Sequence, residues 1–359
     1  MRRGRPLAII LVVVVAAVVI AGIVVALVRG TSAPGTEPRP SDPATGPTTV
    51  APPDASAGGV DCTDATVVVA TAPELQAALD EAEPGDSIRL QPGVYPGKFS
   101  ATASGTADAP IRLCGGSDAV LDGGGVDDGY VLHLDGVANW RIEGFGIRNG
   151  QKGLMADGVT HTTIAGLTVS DTGDEAVHLR AHSTDNVVSG NVIHDTGKRR
   201  AKFGEGVYIG TAESNWCDIT DCEPDRSDRN VIIGNHISGT TAESVDVKEG
   251  TTGGRVEDNV LDGAHLVEDG ADSWVDIKGN DWVVRGNTGS HSPGDGYQTH
   301  EIVDGWGRGN VFAANMADVN GPGFGYAVTD RLGNIVGCDN SASDAGEGFS
   351  NVACSAVTP

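Results

Sequence analysis

Basic charge and helical periodicity are both scarce in this chain. Lys and Arg number 24 against 49 Asp and Glu, a formal charge of −25. Four of the arginines lie within residues 1–30, which leaves 20 basic and 49 acidic residues, or −29, for the remainder. A surface of that sign repels a phosphate backbone, so bulk nucleic-acid binding is excluded. Apolar residues fall at helical spacing in one clear stretch, "PELQAALDEA" (73–82), where Leu75, Ala78 and Leu79 share a stripe. A helical bundle is therefore excluded. The six cysteines lack zinc-site spacings, and no small-x-small cleavage site directly follows the N-terminal apolar run.

That run, Leu7 to Val28, holds 22 residues without a charge, enough for a bilayer-spanning helix. Arg2, Arg3 and Arg5 precede it, so the positive-inside rule leaves the rest of the chain outside the cell. The run is longer than the core of a cleavable signal peptide, and it reads as an uncleaved signal-anchor; a cleaved signal with secretion is the alternative. Residues 31–59, rich in Pro, Thr, Ser, Ala and Gly, have the composition of an extended linker. The expected layout is an anchor over 1–30, a linker over 31–59 and one domain over 60–359. In an exported domain the six cysteines suggest disulfides, and proximity suggests Cys62–Cys114, Cys217–Cys222 and Cys338–Cys354 among 15 possible connectivities.

The domain repeats. Segments such as "NVVSGNVIHDTG" (186–197), "NVIIGNHISGT" (230–240) and "NVFAANMADVN" (310–320) share an apolar pair, an Asn, a short strand and a turn. Asn191, Asn235, Asn259, Asn287 and Asn315 fall at one position of the repeat. A second strand lies between these segments, and its first inward residues are Val177, Val207, Val245, Val275, Tyr297 and Tyr326. Leu132 and Leu154 continue that row upstream. Coils of about 22 residues that cannot bury their own faces must stack. The fold class is all-β: a right-handed, single-stranded parallel β-helix, with 73–82 as an N-terminal capping helix and the asparagines as a structural ladder.

Strand alternation then places residues on the outer wall. One outward column reads His133, Met155, His178, Tyr208, Asp246, Asp276, Gln298, and the next reads Asp135, Asp157, Arg180, Gly210, Lys248, Lys278, His300. A third, just before each strand, carries Glu175, Glu205, Glu243, Ser273 and Asp295. The insertions 196–205, with Lys198, Arg199, Arg200 and Lys202, and 211–229, with Cys217 and Cys222, border this wall. With coils about 4.8 Å apart, the result is a groove about 20–25 Å long.

Such a wall suits β-elimination in a uronic-acid polymer, which needs a neutralised carboxylate, a base for the C5 proton and an acid for the leaving O4. Lysine acts as base when neighbouring positive charge or burial lowers its pKa. Lys248 is the expected base, with Lys278, Arg180 or Tyr208 as acid. Glu205, Glu243 and Asp246 offer oxygens to a hard cation such as Ca²⁺. His178, Lys202, Trp274, Gln298 and His300 are the expected substrate-binding residues. Two other readings remain. Asp246 and Asp276, about one coil apart, could form the carboxylate pair of a glycoside hydrolase, or serve an epimerase. The wall could also belong to a non-catalytic cell-wall or glycan-binding protein. A monomer with an acidic polysaccharide as partner is expected.

The run "ELQAALDEAEPGDSIRLQPGVYPGKF…GTADAPIRLCGG" and the strand "ESVDVKEGT" resemble the β-helix polysaccharide lyases that include alginate lyases and chondroitinase B. The resemblance implies that Glu243 binds calcium and that Lys248 is the base. Lys278 stands where that family has a catalytic Arg. Asp246 stands where it has a Ser, and Thr241 where it usually has a second Glu.

Overall fold

A coil that leaves one face of every strand apolar and returns every few residues to a Gly or Asn turn closes only by stacking on its copies. The computed structural model describes residues 62–267 and 271–357. The expected signal-anchor and the whole of the expected linker lie outside them. Among the described residues no helix is long and apolar enough to cross a membrane.

Three sheets of 11, 10 and 10 strands run the length of the domain, and every strand pair is parallel. The chain visits the sheets in turn, making a right-handed parallel β-helix of about 11 turns. Leu132, Leu154, Val177, Val207, Val245, Val275, Tyr297 and Tyr326 lie side by side in one sheet. The uneven spacing of these residues in sequence is absorbed by loops between sheets, so the rows stay aligned. Inside, Ile142, Ile164, Val188, Ile232 and Val256 form a fully buried row, as do Val169, Ile193, Ile237 and Leu261. Each such side chain contributes about 1.5–3 kcal/mol by leaving water.

The asparagine row is a hydrogen-bonded ladder. The Asn191 and Asn235 amide N–H groups donate to the side-chain oxygens of Asn235 and Asn259, at 3.0 and 2.9 Å. Asn259, Asn287 and Asn315 continue the pattern, and Asn340 ends it. Each side-chain NH₂ also donates to a backbone carbonyl of the coil before, as Asn235 does to Val188 at 2.9 Å. These groups are buried where the chain turns between two sheets, so the ladder supplies hydrogen bonds that strand pairing cannot reach.

The amphipathic segment forms a helix over Ala72–Asp80, one or two residues earlier than its periodicity suggests. Thr71 caps it: its hydroxyl accepts the Glu74 N–H, and the Glu74 carboxylate accepts the Thr71 N–H. Leu75 and Leu79 are buried in the core. All three expected disulfides are present, Cys62–Cys114, Cys217–Cys222 and Cys338–Cys354.

Replacing Asn235 by Ala leaves the Asn191 N–H buried without a partner and takes one donor from the Val188 carbonyl. The expected loss is about 2–4 kcal/mol of unfolding free energy, read by chemical denaturation; a loss below 1 kcal/mol would remove the ladder from the fold's stability.

Candidate functional site

Sheet pairing brings the outward residues together in the order that alternation dictates. His133, Met155, His178, Tyr208, Asp246, Asp276 and Gln298 are register partners, each beside the next. Asp135, Asp157 and Arg180 begin the neighbouring row. These side chains point away from the apolar core, yet most of them are not solvated. His178, Asp246, Asp276 and Lys278 are only 5, 1, 3 and 7% exposed. The polar side chains lie against one another, and an insertion walls one side.

That wall is the segment 211–229, and the contacts that hold it are specific. Asp225, fully buried, accepts the Ala181 and His182 N–H groups and the Thr211 hydroxyl at 2.7–2.9 Å. The Trp216 indole donates to the Thr211 carbonyl. The Glu249 carboxylate accepts the Glu213 N–H at 2.6 Å. Gly250, at φ +98°, lies against Asp225 and Trp216, where a β-carbon would not fit. A pocket of about 350 Å³ opens between this wall and the sheet, lined by Tyr130, Lys152, His178, Arg180, Tyr208 and Asn215 among others.

At the centre lies a chain of ion pairs. Asp246 accepts Lys248 on one oxygen and Lys278 on the other, each at 2.6 Å. The Lys278 ammonium also reaches Asp276 at 2.7 Å, and His300 Nδ1 lies 2.9 Å from Asp276. The expectation that crowded positive charge lowers the lysine pKa values is corrected here. Burial would lower both, but Asp246, in contact with each, and Asp276, in contact with Lys278, raise Lys248 and Lys278 above the ordinary range. The sequence shows the lysines stacked; it does not show that the carboxylates stacked with them outweigh the repulsion. The same geometry counts against the Asp246–Asp276 hydrolytic pair. Both bind one ammonium, and Lys278 and His300 hold Asp276 low against its burial. Asp276, so held, is not prepared as a general acid.

Beside this chain, Glu205, Glu243 and Asp246 bring one ligand oxygen each to within 4.8 Å of one another, all buried. One Glu205 oxygen has no hydrogen-bond partner. Burial first, and neighbouring carboxylates second, push Glu205 well above its usual range and Glu243 to about 8. Three crowded oxygens, one of them orphaned, are a donor set that fits a hard cation.

On the N-terminal side, Lys152 donates to Glu175 at 2.7 Å and lies 3.0 Å from His178 Nδ1. Arg180 pairs with Asp157 at 2.6 Å. Tyr208 meets the His178 ring edge-on at 4.4 Å, and the Lys248 ammonium stands 5.0 Å from its ring centre. Lys198 pairs with Asp171, while Arg199 and Arg200 pair with Asp174. Lys202 is exposed over Phe203. On the C-terminal side, Gln298 donates to Asp295 and lines a second hollow of about 330 Å³ with Asp272 and Glu347.

Trp274 is a further correction. It does not face the groove but lies fully buried in the core, stacked edge-on against Tyr297, its indole donating to the His291 carbonyl. Gly263, Gly289 and Gly296 each lack the β-carbon that would collide with it, so the chain turns this bulky ring inward. Lys152 and Tyr130 are site residues that the sequence reading missed. They are register partners that extend the row of Glu175 upstream, and continuing that column by two coils would have found them.

No family model matches the chain, and a search among curated proteins finds no match. Among solved structures, an alginate lyase from Paenibacillus sp. str. FPU-7 is 36% identical, with a TM-score of 0.75 over 79% of this chain and 97% of that one. The pectate lyase Pel9A is 16% identical, with a TM-score of 0.52 over 75% of this chain and 72% of its own. A polygalacturonase from Erwinia carotovora ssp. carotovora is 11% identical, with a TM-score of 0.51 over 82% and 97%. The last two show a shared fold alone.

Asp157 links this wall to acid stability. Its burial is opposed by hydrogen bonds from His133 and Arg180, which hold it at about 2. A carboxyl depressed in the folded state stabilises above its unfolded value near 3.8, and that contribution is lost as pH falls toward 2. Asp157→Asn is expected to cost about 1–2 kcal/mol at pH 6, after allowance for solvent screening, and close to nothing at pH 2. Chemical denaturation at both pH values checks this; a pH-independent difference would exclude the linkage.

Proposed function

The chain belongs to the family of parallel β-helix polysaccharide lyases, and from that premise we propose that it cleaves a uronic-acid polymer by β-elimination at Lys248 and Tyr208. The observation that carries the assignment is the placement of Lys248 over the ring of Tyr208, which lines the walled pocket, beside the buried Glu205–Glu243–Asp246 cluster. In the reaction a base takes the C5 proton, the C5 electron pair forms the C4–C5 double bond, and O4 leaves with a proton from an acid. Lys248 is the base in this reading. Tyr208 is the acid: burial, Asp246 and Glu205 raise its phenol well above the ordinary range, so it carries a proton to give. Lys278 and His300 keep Asp276 and Asp246 compensated. Arg180, on the pocket wall, is placed to hold a neighbouring carboxylate of the polymer.

Glu205, Glu243 and Asp246 would hold Ca²⁺. When bound there, the ion would draw Asp246's charge away from the lysines and would neutralise a substrate carboxylate. The same reading places the enzyme outside the cell, tethered through Leu7–Val28. Three disulfides support an oxidising compartment. The helix Ala72–Asp80 would cap the first coil.

The test follows the absorbance of the unsaturated uronate in a panel of alginate, pectate, glucuronan and glycosaminoglycans. Alginate comes first because the 36% identical chain is an alginate lyase. A rise is expected that EDTA abolishes, and that Lys248→Ala and Tyr208→Phe each reduce by about 10²–10⁴-fold. New reducing ends without the absorbance would mean hydrolysis. Binding without either signal would leave a tethered glycan-binding protein.

A further inference from the structure

His178 lines the pocket, but its ring is committed on both sides. The Lys152 ammonium, 3.0 Å from Nδ1, can only donate, so Nδ1 is the acceptor. The ring proton then sits on Nε2, where it donates to the Gly210 carbonyl at 3.0 Å. Lys152 is itself held by Glu175 at 2.7 Å; Glu175 is buried and Lys152 half-buried. Burial and the neighbouring Lys152 charge keep the imidazole neutral. A neutral ring with both nitrogens engaged has no free group for a sugar carboxylate.

What the ring does touch is the proposed acid and the backbone beneath the proposed base. Its edge meets the Tyr208 ring, with centroids 4.4 Å apart and planes at 63°. Gly210 sits at φ +85°, and a β-carbon there would lie 3.4 Å from the Lys248 β-carbon and 2.7 Å from a Thr251 methyl. Gly210 therefore packs closely against the residue that follows the strand, Lys248, whose N–H donates to the adjoining Ile209 carbonyl at 2.8 Å. His178, Tyr208 and Lys248 sit on successive coils, and the same register sets Lys152, which opens its strand, beside Glu175, two positions before the next.

We propose that Lys152, Glu175 and His178 form a positioning chain that sets the Tyr208 ring and ties it, through the Gly210 carbonyl, to the coil end where Lys248 stands. The role rests on the assignment of Tyr208 as the acid. None of the three residues touches the reacting atoms. Lys152 fixes the imidazole tautomer, Glu175 fixes Lys152, and the imidazole fixes both the Tyr208 ring plane and the Gly210 carbonyl.

Two readouts on the full chain test this. The first is turnover: His178→Ala should lower kcat about 10²-fold with KM almost unchanged. His178→Gln should recover most of it, because its amide can accept from Lys152 and donate to Gly210 in the same directions. The second is the ¹⁹F spectrum of the chain labelled with 3-fluorotyrosine. Only five tyrosines are present, and Tyr208→Phe assigns the relevant signal. That signal should move in His178→Ala and return in His178→Gln. Should His178→Ala fail to fold, the double variant Lys152→Met, Glu175→Gln, which leaves no buried charge alone, should show the same displaced signal and the same loss in kcat. An unmoved Tyr208 signal, or a His178→Gln chain as slow as His178→Ala, overturns the positioning role. A displaced and rescued signal with unchanged turnover supports the positioning chain and removes Tyr208 as the acid, so the two assignments fail separately.

Discussion

Everything on the candidate site depends on parallel coils being hydrogen-bonded residue to residue. Each strand of the site sheet pairs with the equivalent strand one coil away, so a residue type repeated in the sequence becomes a row about 4.8 Å apart. Inward rows of Val, Ile and Leu make a continuous core from strands that have none alone. Outward rows concentrate whatever polar chemistry the sequence repeats. A wall that stacks Asp on Asp and Lys beside Lys must compensate its own charge or lose its fold, because like charges one coil apart repel strongly once buried.

The compensation is uneven, and its unevenness marks the site. On the N-terminal side three buried or half-buried carboxylates have cationic neighbours: Asp157 with Arg180, Glu175 with Lys152, Asp174 with Arg199 and Arg200. At the centre Asp246 and Asp276 share Lys278, while Glu205 and Glu243 have no cation in contact among the described residues, and their pKa values rise accordingly. The second hollow, with Asp272, Asp295 and Glu347, has no Lys, Arg or His in its lining. The crowded carboxylates therefore sit beside Lys248 and Tyr208, where a cation and an acidic sugar would supply the missing balance.

Much of this was legible before any coordinates. Alternation and spacing placed Tyr208, Asp246, Lys248, Asp276 and Lys278 on one wall. The column of Glu175, Glu205 and Glu243 pointed to the acidic cluster, and cysteine proximity gave the disulfides. Trp274 was misplaced because alternation holds within a strand and fails at the turn before it, where three distant glycines open the space that the indole fills. The lysines were misjudged because a column lists neighbours along one row, whereas each ammonium reaches sideways to a carboxylate in the next row. Lys152 was missed because its column was read from the first glutamate onward and not upstream.

The sequence by itself determined the class of fold, the order of residues along each row and the set of groups available for chemistry, because strand period and coil repeat are local properties that add up without long-range information. Only the tertiary structure decided which of those groups are buried, which ammonium meets which carboxylate, how His178 is protonated and where the 211–229 wall closes over the sheet. Those outcomes depend on distances between side chains tens of residues apart, and on water excluded by segments whose path no periodicity records.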